Sequence, residues 1–304
     1  MTLKINYLDQ KKELTSFYNR FPLLENFDEQ IKEKASNYPK ANRTVLVNSL
    51  TSQYKNIEIS NGTQQNINAL KDEKTFTVVT GHQLNLFTGP LYFLYKIVST
   101  INLAKKLNEE HPNHHFVPVY WMATEDHDFD EINYFRLHGK KIQWNREDIS
   151  DNDKGAVGVL NNEGLAAVYE RLQAELGNTR IAQELAQLFE SAYLKQDNLA
   201  DATRFLTHRL FGEYGLVILD GNDRDLKAVF APYMKQELLE QKAFELVSAQ
   251  AERMEQMGYS VQVNAREINL FYLAEGLRER IIKQDGRYFV NDTEIQFSEA
   301  ELLE

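Results

Sequence analysis

The fold class is decided by residues 75–96, which read TFTVVTGHQLNLFTGPLYFLYK. The β-branched run from Phe76 to Thr80 predicts a short buried strand, and the loop that follows contains two glycines. From Leu91 to Leu107 the apolar residues recur with the spacing of a long helix. A strand followed by a loop and a helix is typical of the first half of a βαβ unit, in which a helix connects two parallel strands.

Two more apolar runs complete the predicted sheet. Residues 116–122 read FVPVYWM and residues 216–220 read LVILD, so neither shows the alternation of a strand that has one face in water. Continuous apolar strands are typical of parallel sheets covered by helices, and helical patterns surround the third run at about 163–176, 180–194, 198–213 and 223–257. We therefore predict an α/β fold with a parallel sheet.

The segments outside this core lack its continuous apolar strands. Residues 1–72 show helical patterns at about 22–38 and 44–57, a turn signal at Asn61-Gly62 and no strand, which predicts a helical arm packed on the core. Short alternating runs predict antiparallel strands in two insertions. The first lies at about 132–160.

The second insertion lies near the end of the chain. It contains alternating runs at 261–263, 270–273 and 288–290, with a hairpin signal at Asp285-Gly286. The predicted division is therefore an arm (1–72), a core with an insertion and three helices (73–258), and a β-rich insertion with the start of a helix (259–304).

The last residues predict the start of a helix, but the sequence ends after its first turn. Ser298 and Glu301 have the spacing of a capping box, and Leu302 and Leu303 begin an apolar stripe before the sequence stops at Glu304. Because helix nucleation is unfavourable in free energy and a single turn does not offset it, we expect the sequence to be a fragment of a longer protein.

Composition excludes several classes of function. The 304 residues include no cysteine, which excludes disulfides, a thiolate nucleophile and thiolate metal sites. The formal net charge of −11 argues against nucleic acids and anionic membranes as partners. The N-terminus has no apolar signal region and no run reaches a membrane-spanning length, so we expect a cytoplasmic protein.

The loop after the first strand is the first candidate site, because ligands of open α/β sheets bind beyond the carboxyl ends of the strands. It reads TGHQLNLFTGP at residues 80–90, and Pro90 is suited to the first position of the next helix. Its glycines allow close approach of a ligand, and its polar side chains offer hydrogen bonds. The alternative is an ordinary connecting loop.

The acidic loop after the second strand is the second candidate. Residues 123–131 read ATEDHDFDE, so five carboxylates surround His127 directly after a buried strand. Like charges this close together need a cation, an amine or hydrogen-bond donors. General base catalysis, ammonium recognition and binding of Mg²⁺ through phosphates are all open, and the alternative is a solvated loop that caps a helix. After the third strand, Asp220 and Asp223 suit either contact with a ribose or the cap of the next helix.

Three stretches together resemble a known family. They are TGHQLNLFTGPLYFLYK (80–96), VPVYWMATEDHDFDEIN (117–133) and GLVILDGND (215–223). They resemble the BshC family, the cysteine-adding enzymes of bacillithiol biosynthesis, and the resemblance runs over nearly the whole chain. It implies a Rossmann-like core similar to nucleotidyltransferases, with an N-terminal helical arm and β-rich insertions. The family is longer, so its C-terminal coiled coil is expected to be absent from this chain. The homodimer that the coiled coil supports is expected for the full-length family.

The resemblance also implies a reaction and its participants. The reaction is the last step of bacillithiol biosynthesis, in which a ligase joins L-cysteine through an amide bond to glucosaminyl malate. ATP with Mg²⁺ is left open as the activating co-substrate. Two alternatives remain: a metal-dependent hydrolase or other nucleotidyltransferase-like enzyme that uses the EDHD loop, and a truncated homologue without activity.

These considerations give a set of candidate residues. The catalytic candidates are Glu125, Asp126, His127 and Asp128. The candidates for binding substrate or nucleotide are Thr80, Gly81, His82, Gln83, Asn85, Thr88, Gly89, Tyr92 and Lys96. No metal ligand is assigned.

Overall fold

The computed structural model describes residues 2–146 and 155–304. The chain divides into two compact units, which are described separately. The sheet unit comprises Pro39–Val229 and Ala274–Arg278. The terminal unit comprises Met1–Tyr38, Phe230–Leu273 and Glu279–Glu304.

Helices and strands are numbered in chain order. The helices are α1 (Leu3–Leu8), α2 (Phe27–Asn37), α3 (Lys40–Gln53), α4 (Asn61–Ala69), α5 (Leu91–Glu110), α6 (Phe129–Ile132), α7 (Leu165–Leu176), α8 (Arg180–Tyr193), α9 (Leu199–Phe211), α10 (Arg224–Glu240), α11 (Lys242–Gln256) and α12 (Glu299–Leu303). The strands are β1 (Thr75–Gln83), β2 (His115–Ala123), β3 (Tyr134–Leu137), β4 (Lys140–Gln143), β5 (Val217–Asp220), β6 (Phe271–Ala274), β7 (Leu277–Gln284), β8 (Arg287–Val290) and β9 (Gln296–Phe297).

A parallel sheet in the order β1-β2-β5 forms the centre of the sheet unit. β1 pairs with β2 from Thr75↔His115 to Gln83↔Ala123, and β2 pairs with β5 from Val119↔Val217 to Met122↔Asp220. The predicted α/β fold with a parallel sheet is thus confirmed. β1 is longer than the apolar run indicated, because the backbone of Gly81, His82 and Gln83 continues in register with β2.

Helices bury β2 and β5 in one continuous core. The prediction of a buried strand was wrong for β1, in which Thr77, Val79 and Gly81 are exposed. α5 packs on β1 and β2, while α3, α4 and α9 pack on β5. Buried side chains of α3 and α4, such as Val47 and Ile67, belong to the same core as Val217 of β5. The half of the predicted arm that follows Pro39 is therefore an integral part of the sheet unit.

The predicted turn at Asn61-Gly62 was wrong, since α4 begins there. Ser60 caps this helix by accepting a hydrogen bond from the amide of Thr63. A Cβ at Gly62 would lie 3.3 Å from the Cα of Gly215, so the glycine permits close packing rather than a turn.

The first insertion contains the predicted hairpin. β3 and β4 pair antiparallel around His138 and Gly139, which both have positive φ angles. Trp144, just after β4, is completely buried in the core of the sheet unit. Residues 147–154 of the predicted insertion lie outside the described residues.

The terminal unit has its own small core. Leu238, Ile268, Ile281 and Tyr288 are buried together, and the Tyr288 hydroxyl donates to the Leu238 carbonyl at 3.2 Å. The hairpin predicted at Asp285-Gly286 connects β7 and β8.

Three other predictions fall in this region of the chain. The strand predicted at 261–263 does not form, and Val263 is exposed. The long helical pattern is divided into α10 and α11 at Gln241, whose φ is 50°. The capping box of Ser298 and Glu301 is present at the start of α12. None of the helices in the described part of the chain is both long and apolar enough to cross a membrane.

Candidate active site

The two candidate loops meet at the carboxyl ends of β1 and β2, where Gln83 and Ala123 are paired in register. This is the edge at which ligands bind in open α/β sheets. The loop from β1 leads to α5, and the acidic loop from β2 leads to α6. The geometry of the site follows from how each loop is held.

The loop after β1 has a strained backbone. Phe87, Thr88 and Gly89 have consecutive φ angles of 48°, 74° and 61°, a region that is costly for the two residues with a Cβ. A Cβ at Gly89 would lie only 2.4 Å from the Cβ of Asn85, so only glycine fits there. Strain of this kind persists only where the surroundings fix the conformation.

Tyr193 of α8 holds the loop in this conformation. Its buried hydroxyl accepts a hydrogen bond from the Phe87 amide at 3.0 Å and donates to the Asn85 carbonyl at 2.9 Å. The Phe87 ring is itself buried, with its centroid 4.6 Å from that of Tyr193 and 5.1 Å from that of Phe189. The loop is therefore anchored in the hydrophobic core.

His82 is buried at the end of β1, with 8% of its surface exposed. Its Nδ1 lies 2.8 Å from the Gln83 carbonyl oxygen, so we assign the proton to Nδ1. Nε2 is then an acceptor, and it has no hydrogen-bond partner among the residues that the structure describes. Burial, opposed by that hydrogen bond and assisted by nearby Lys96, lowers the pKa of His82, so the imidazole is neutral at pH 7.

Gln83 connects the two loops. Its amide nitrogen donates to Oδ2 of Asp126 and to Oε2 of Glu131, both at 2.8 Å. One NH₂ group thus uses both its protons to hold two carboxylates that would otherwise repel each other.

Asp126 is the most strongly bound carboxylate of the acidic loop. Burial raises its pKa, but the hydrogen bonds from Gln83 and from the His127 amide and the positive charge of Arg278 outweigh that effect, and the net pKa is lowered. Arg278 also lies 3.0 Å from Nδ1 of His127. Asp126 is therefore ionised at neutral pH.

The rest of the acidic loop is held by its backbone. The Asp126 carbonyl accepts from the Val157 amide at 2.7 Å, and the Thr124 carbonyl accepts from the Gly158 amide at 2.9 Å. Within the described residues, Oε2 of Glu125 is buried without a hydrogen-bond partner. Asp128 occupies the N-cap position of α6, although its side chain makes no capping hydrogen bond.

The other predicted binding residues divide between two cavities. Gln83, Asn85 and Thr88 line a small cavity beside Tyr193. Gly81, His82, Gln83, Tyr92 and Lys96 line a larger one of about 340 Å³, together with Trp121 and Ala123. Thr80 is half-buried in β1 and lines neither cavity.

Four side chains of this region were not singled out as site residues from the sequence: Trp121, Glu131, Tyr193 and Arg278. Glu131 was visible in the acidic run, and Trp121 interrupts a buried strand directly before that run. Neither Tyr193 nor Arg278 gave any local signal, because both come from distant segments.

Asp220 and Asp223, which follow the third strand, serve the structure. Asp223 accepts hydrogen bonds from the amides of Asp225 and Leu226 at the start of α10. Asp220 accepts from the Asn222 amide at 2.9 Å and from the Thr124 hydroxyl. Of the two open interpretations, these contacts favour the helix cap.

A metal site is not preformed in the described residues. Within 2–146 and 155–304, no three His, Asp or Glu side chains converge where they could hold a metal ion. Mg²⁺ carried by a nucleotide would need only one or two protein carboxylates, because its remaining ligands come from phosphates and water.

The parallel sheet and its helices form a Rossmann-like α/β domain, and comparison with known proteins gives the family. Residues 1–304 match the model of the bacillithiol biosynthesis BshC N-terminal Rossmann-like domain. The chain therefore belongs to the BshC family, as its motifs predicted.

Individual relatives agree with this assignment. A Flavobacterium johnsoniae protein named "Putative cysteine ligase BshC" is 57% identical over 298 residues, which are 98% of this chain and 55% of the relative. Proteins with the same name from Christiangramia forsetii and Bacillus licheniformis are 51% and 29% identical, over 99% and 98% of this chain and 56% of each relative. The chain thus spans about half the length of these relatives.

Proposed function

We propose that this chain provides the Rossmann-like part of a ligase that joins L-cysteine to glucosaminyl malate in the last step of bacillithiol biosynthesis. Membership of the BshC family and the printed names of its relatives support the ligase class. The proposal places the reaction in the cytoplasm and the substrates at the carboxyl ends of β1 and β2.

One observation carries the proposal: Gln83 holds Asp126 and Glu131 together at this edge of the sheet. An ionised carboxylate at Asp126, next in sequence to a buried and partnerless oxygen of Glu125, suits the ammonium or amine of an amino sugar. An amine must be positioned and lose a proton before an amide forms, and carboxylates can serve both needs.

Joining a carboxylate to an amine also needs activation, and we propose ATP with Mg²⁺ as the co-substrate. The cysteine carboxylate would attack the α-phosphorus, forming an acyl adenylate and releasing pyrophosphate. The amine nitrogen would then attack the acyl carbon, so that the C–N bond forms and the bond from carbon to the AMP oxygen breaks. The amine proton would pass to a carboxylate of the acidic loop, for which Asp126 is our candidate, and then to water.

The test is synthesis of the product by purified protein. This chain and the full-length Flavobacterium johnsoniae relative are incubated with cysteine, glucosaminyl malate and Mg-ATP, and bacillithiol and AMP are measured by mass spectrometry. We expect product from the relative and at least a hundredfold less with its equivalent of Asp126→Asn. The matched control is the equivalent of Glu109→Gln, an exposed carboxylate of α5. Absence of product from the relative would refute the reaction, and full activity of the Asp126→Asn equivalent would refute the role of this carboxylate.

A further inference from the structure

The cavity of about 340 Å³ lies in the sheet unit at the end of β1. Its walls combine aromatic side chains with a few polar groups, which is the usual composition of a small-molecule site. The residues that form it are Gly81, His82, Gln83, Tyr92, Lys96 and Trp121, with Ala123 at one side. The acidic loop contributes none of its carboxylates to this lining.

Trp121 is the one exposed position of β2, with 41% of its surface accessible. Gly221 accommodates its side chain, because a Cβ there would lie 2.6 Å from the indole ring. The register partner of Trp121 on β1 is Gly81. The backbone at Gly221 thus leaves room for an indole that stays partly exposed. Tyr92 adds a second exposed ring, with its centroid 5.0 Å from that of His82.

Besides Gln83, the cavity has two polar side chains, Lys96 and His82. Lys96 donates one hydrogen bond to the Gly81 carbonyl, and no carboxylate of the described residues lies within salt-bridge distance of its ammonium group. Its other N–H groups remain available to an anion. His82 is buried, and its acceptor Nε2 has no partner within the described part of the chain.

We propose that this cavity binds a ring-bearing anion, whose ring contacts Trp121 and Tyr92 and whose carboxylate or phosphate pairs with Lys96. The inference rests on the proposed function in one respect: glucosaminyl malate and ATP each combine a ring with an anionic group. The binding experiment distinguishes these two sources.

Binding is measured by isothermal titration calorimetry on this chain with glucosaminyl malate and with ATP, in separate titrations without cysteine. Tryptophan fluorescence provides a second readout, because the chain has two tryptophans and Trp144 is completely buried. A ligand in the cavity is therefore expected to reduce quenching of Trp121 by acrylamide. At least one of the two ligands should give saturable binding.

Two pairs of variants test the assignment of residues. Lys96→Met should weaken binding roughly tenfold, the effect of losing a hydrogen bond to a charged group, whereas Lys105→Met, an exposed lysine of the same helix, should leave it unchanged. Tyr92→Leu should weaken binding more than Tyr95→Leu, since Tyr95 is exposed on α5 but does not line the cavity. Circular dichroism checks that each variant is folded.

The outcomes separate this inference from the proposed function. Binding that depends on Lys96 supports the cavity even if no product forms in the ligase assay, and that combination would refute the function alone. Binding that is equal in Lys96→Met and Lys105→Met, or the absence of binding by both ligands, would overturn the cavity assignment even if the full-length relative makes product.

Discussion

Replacing Tyr193 with phenylalanine tests whether the core fixes the strained loop after β1. The substitution removes one oxygen from a completely buried side chain, so it changes the shape of the core very little. It leaves the buried amide of Phe87 and the partly buried carbonyl of Asn85 without their partner. An unpaired buried group costs about 1–3 kcal/mol, and water can still reach the carbonyl, so we expect a loss of about 2 kcal/mol in the free energy of unfolding.

Tyr169 of α7 offers a matched control, because it is buried in the same core and its hydroxyl makes no hydrogen bond within the described residues. Tyr169→Phe should therefore change stability by less than about 0.5 kcal/mol. Both variants are unfolded in urea, and hydrogen exchange of the peptide at 84–90 is followed by mass spectrometry. Faster exchange there in Tyr193→Phe alone is expected. Equal stability of the two variants, with equal exchange, would refute the idea that Tyr193 holds the loop.

Three further predictions concern the residues at the end of β1 and their neighbours. Gln83→Leu should destabilise the protein by about 1 kcal/mol near neutral pH, and this loss should begin to shrink below about pH 4 and vanish only below the lowered pKa of Asp126. The sign follows from the lowered pKa of Asp126, because the stabilisation by its ionised form is present at neutral pH and is lost as the pH falls through that pKa. An equal loss of stability at neutral pH and below the lowered pKa, measured by urea unfolding, would contradict this prediction. Gly221→Ala should cost about 1–3 kcal/mol and displace the adjoining indole, while Gly81→Ala, whose Cβ would be 3.9 Å from its nearest neighbour, should be tolerated. Equal melting temperatures of these two variants would count against a packed indole. Burial lowers the pKa of His82, so folding is opposed as the pH falls below about 6.5, and His82→Gln should reduce the loss of stability between about pH 7 and pH 5. Parallel pH profiles of this variant and the wild type would exclude a buried neutral imidazole.

The three parallel strands were predictable, because β2 and β5 are continuous apolar runs and β1 begins with a β-branched run. The end of β1 was not, since His82 and Gln83 are polar and their strand conformation depends on pairing with Met122 and Ala123. The prediction of a turn at Asn61-Gly62 failed for a similar reason, because the structure there depends on a distant contact. A local turn signal and a helix start use the same residue types, and the contact with Gly215 that decides between them is more than a hundred residues away.

The position of the two candidate loops could be predicted from the sequence, but most of the contacts between their side chains could not. The sequence placed Gln83 and the acidic loop at the same edge of the sheet, because parallel strands end together. It could not show that one amide would reach both Asp126 and Glu131, which requires the register of β1 against β2. Arg278 approaches His127 from 151 positions further along the chain, and nothing in its own segment marks it as a site residue.

Local rules of protein structure are broken repeatedly at the carboxyl ends of β1 and β2. Three consecutive residues with positive φ, Phe87 to Gly89, follow β1, whereas the other non-glycine residues with positive φ in the described chain lie at single turns. The same edge contains the partnerless Nε2 of His82, the partnerless Oε2 of Glu125 and the exposed indole of Trp121. Each of these features costs stability when the protein is alone, and a bound ligand can compensate for the partnerless groups and the exposed ring. Their concentration at the edge where α/β sheets bind ligands is therefore an argument for a functional site that does not depend on the family assignment.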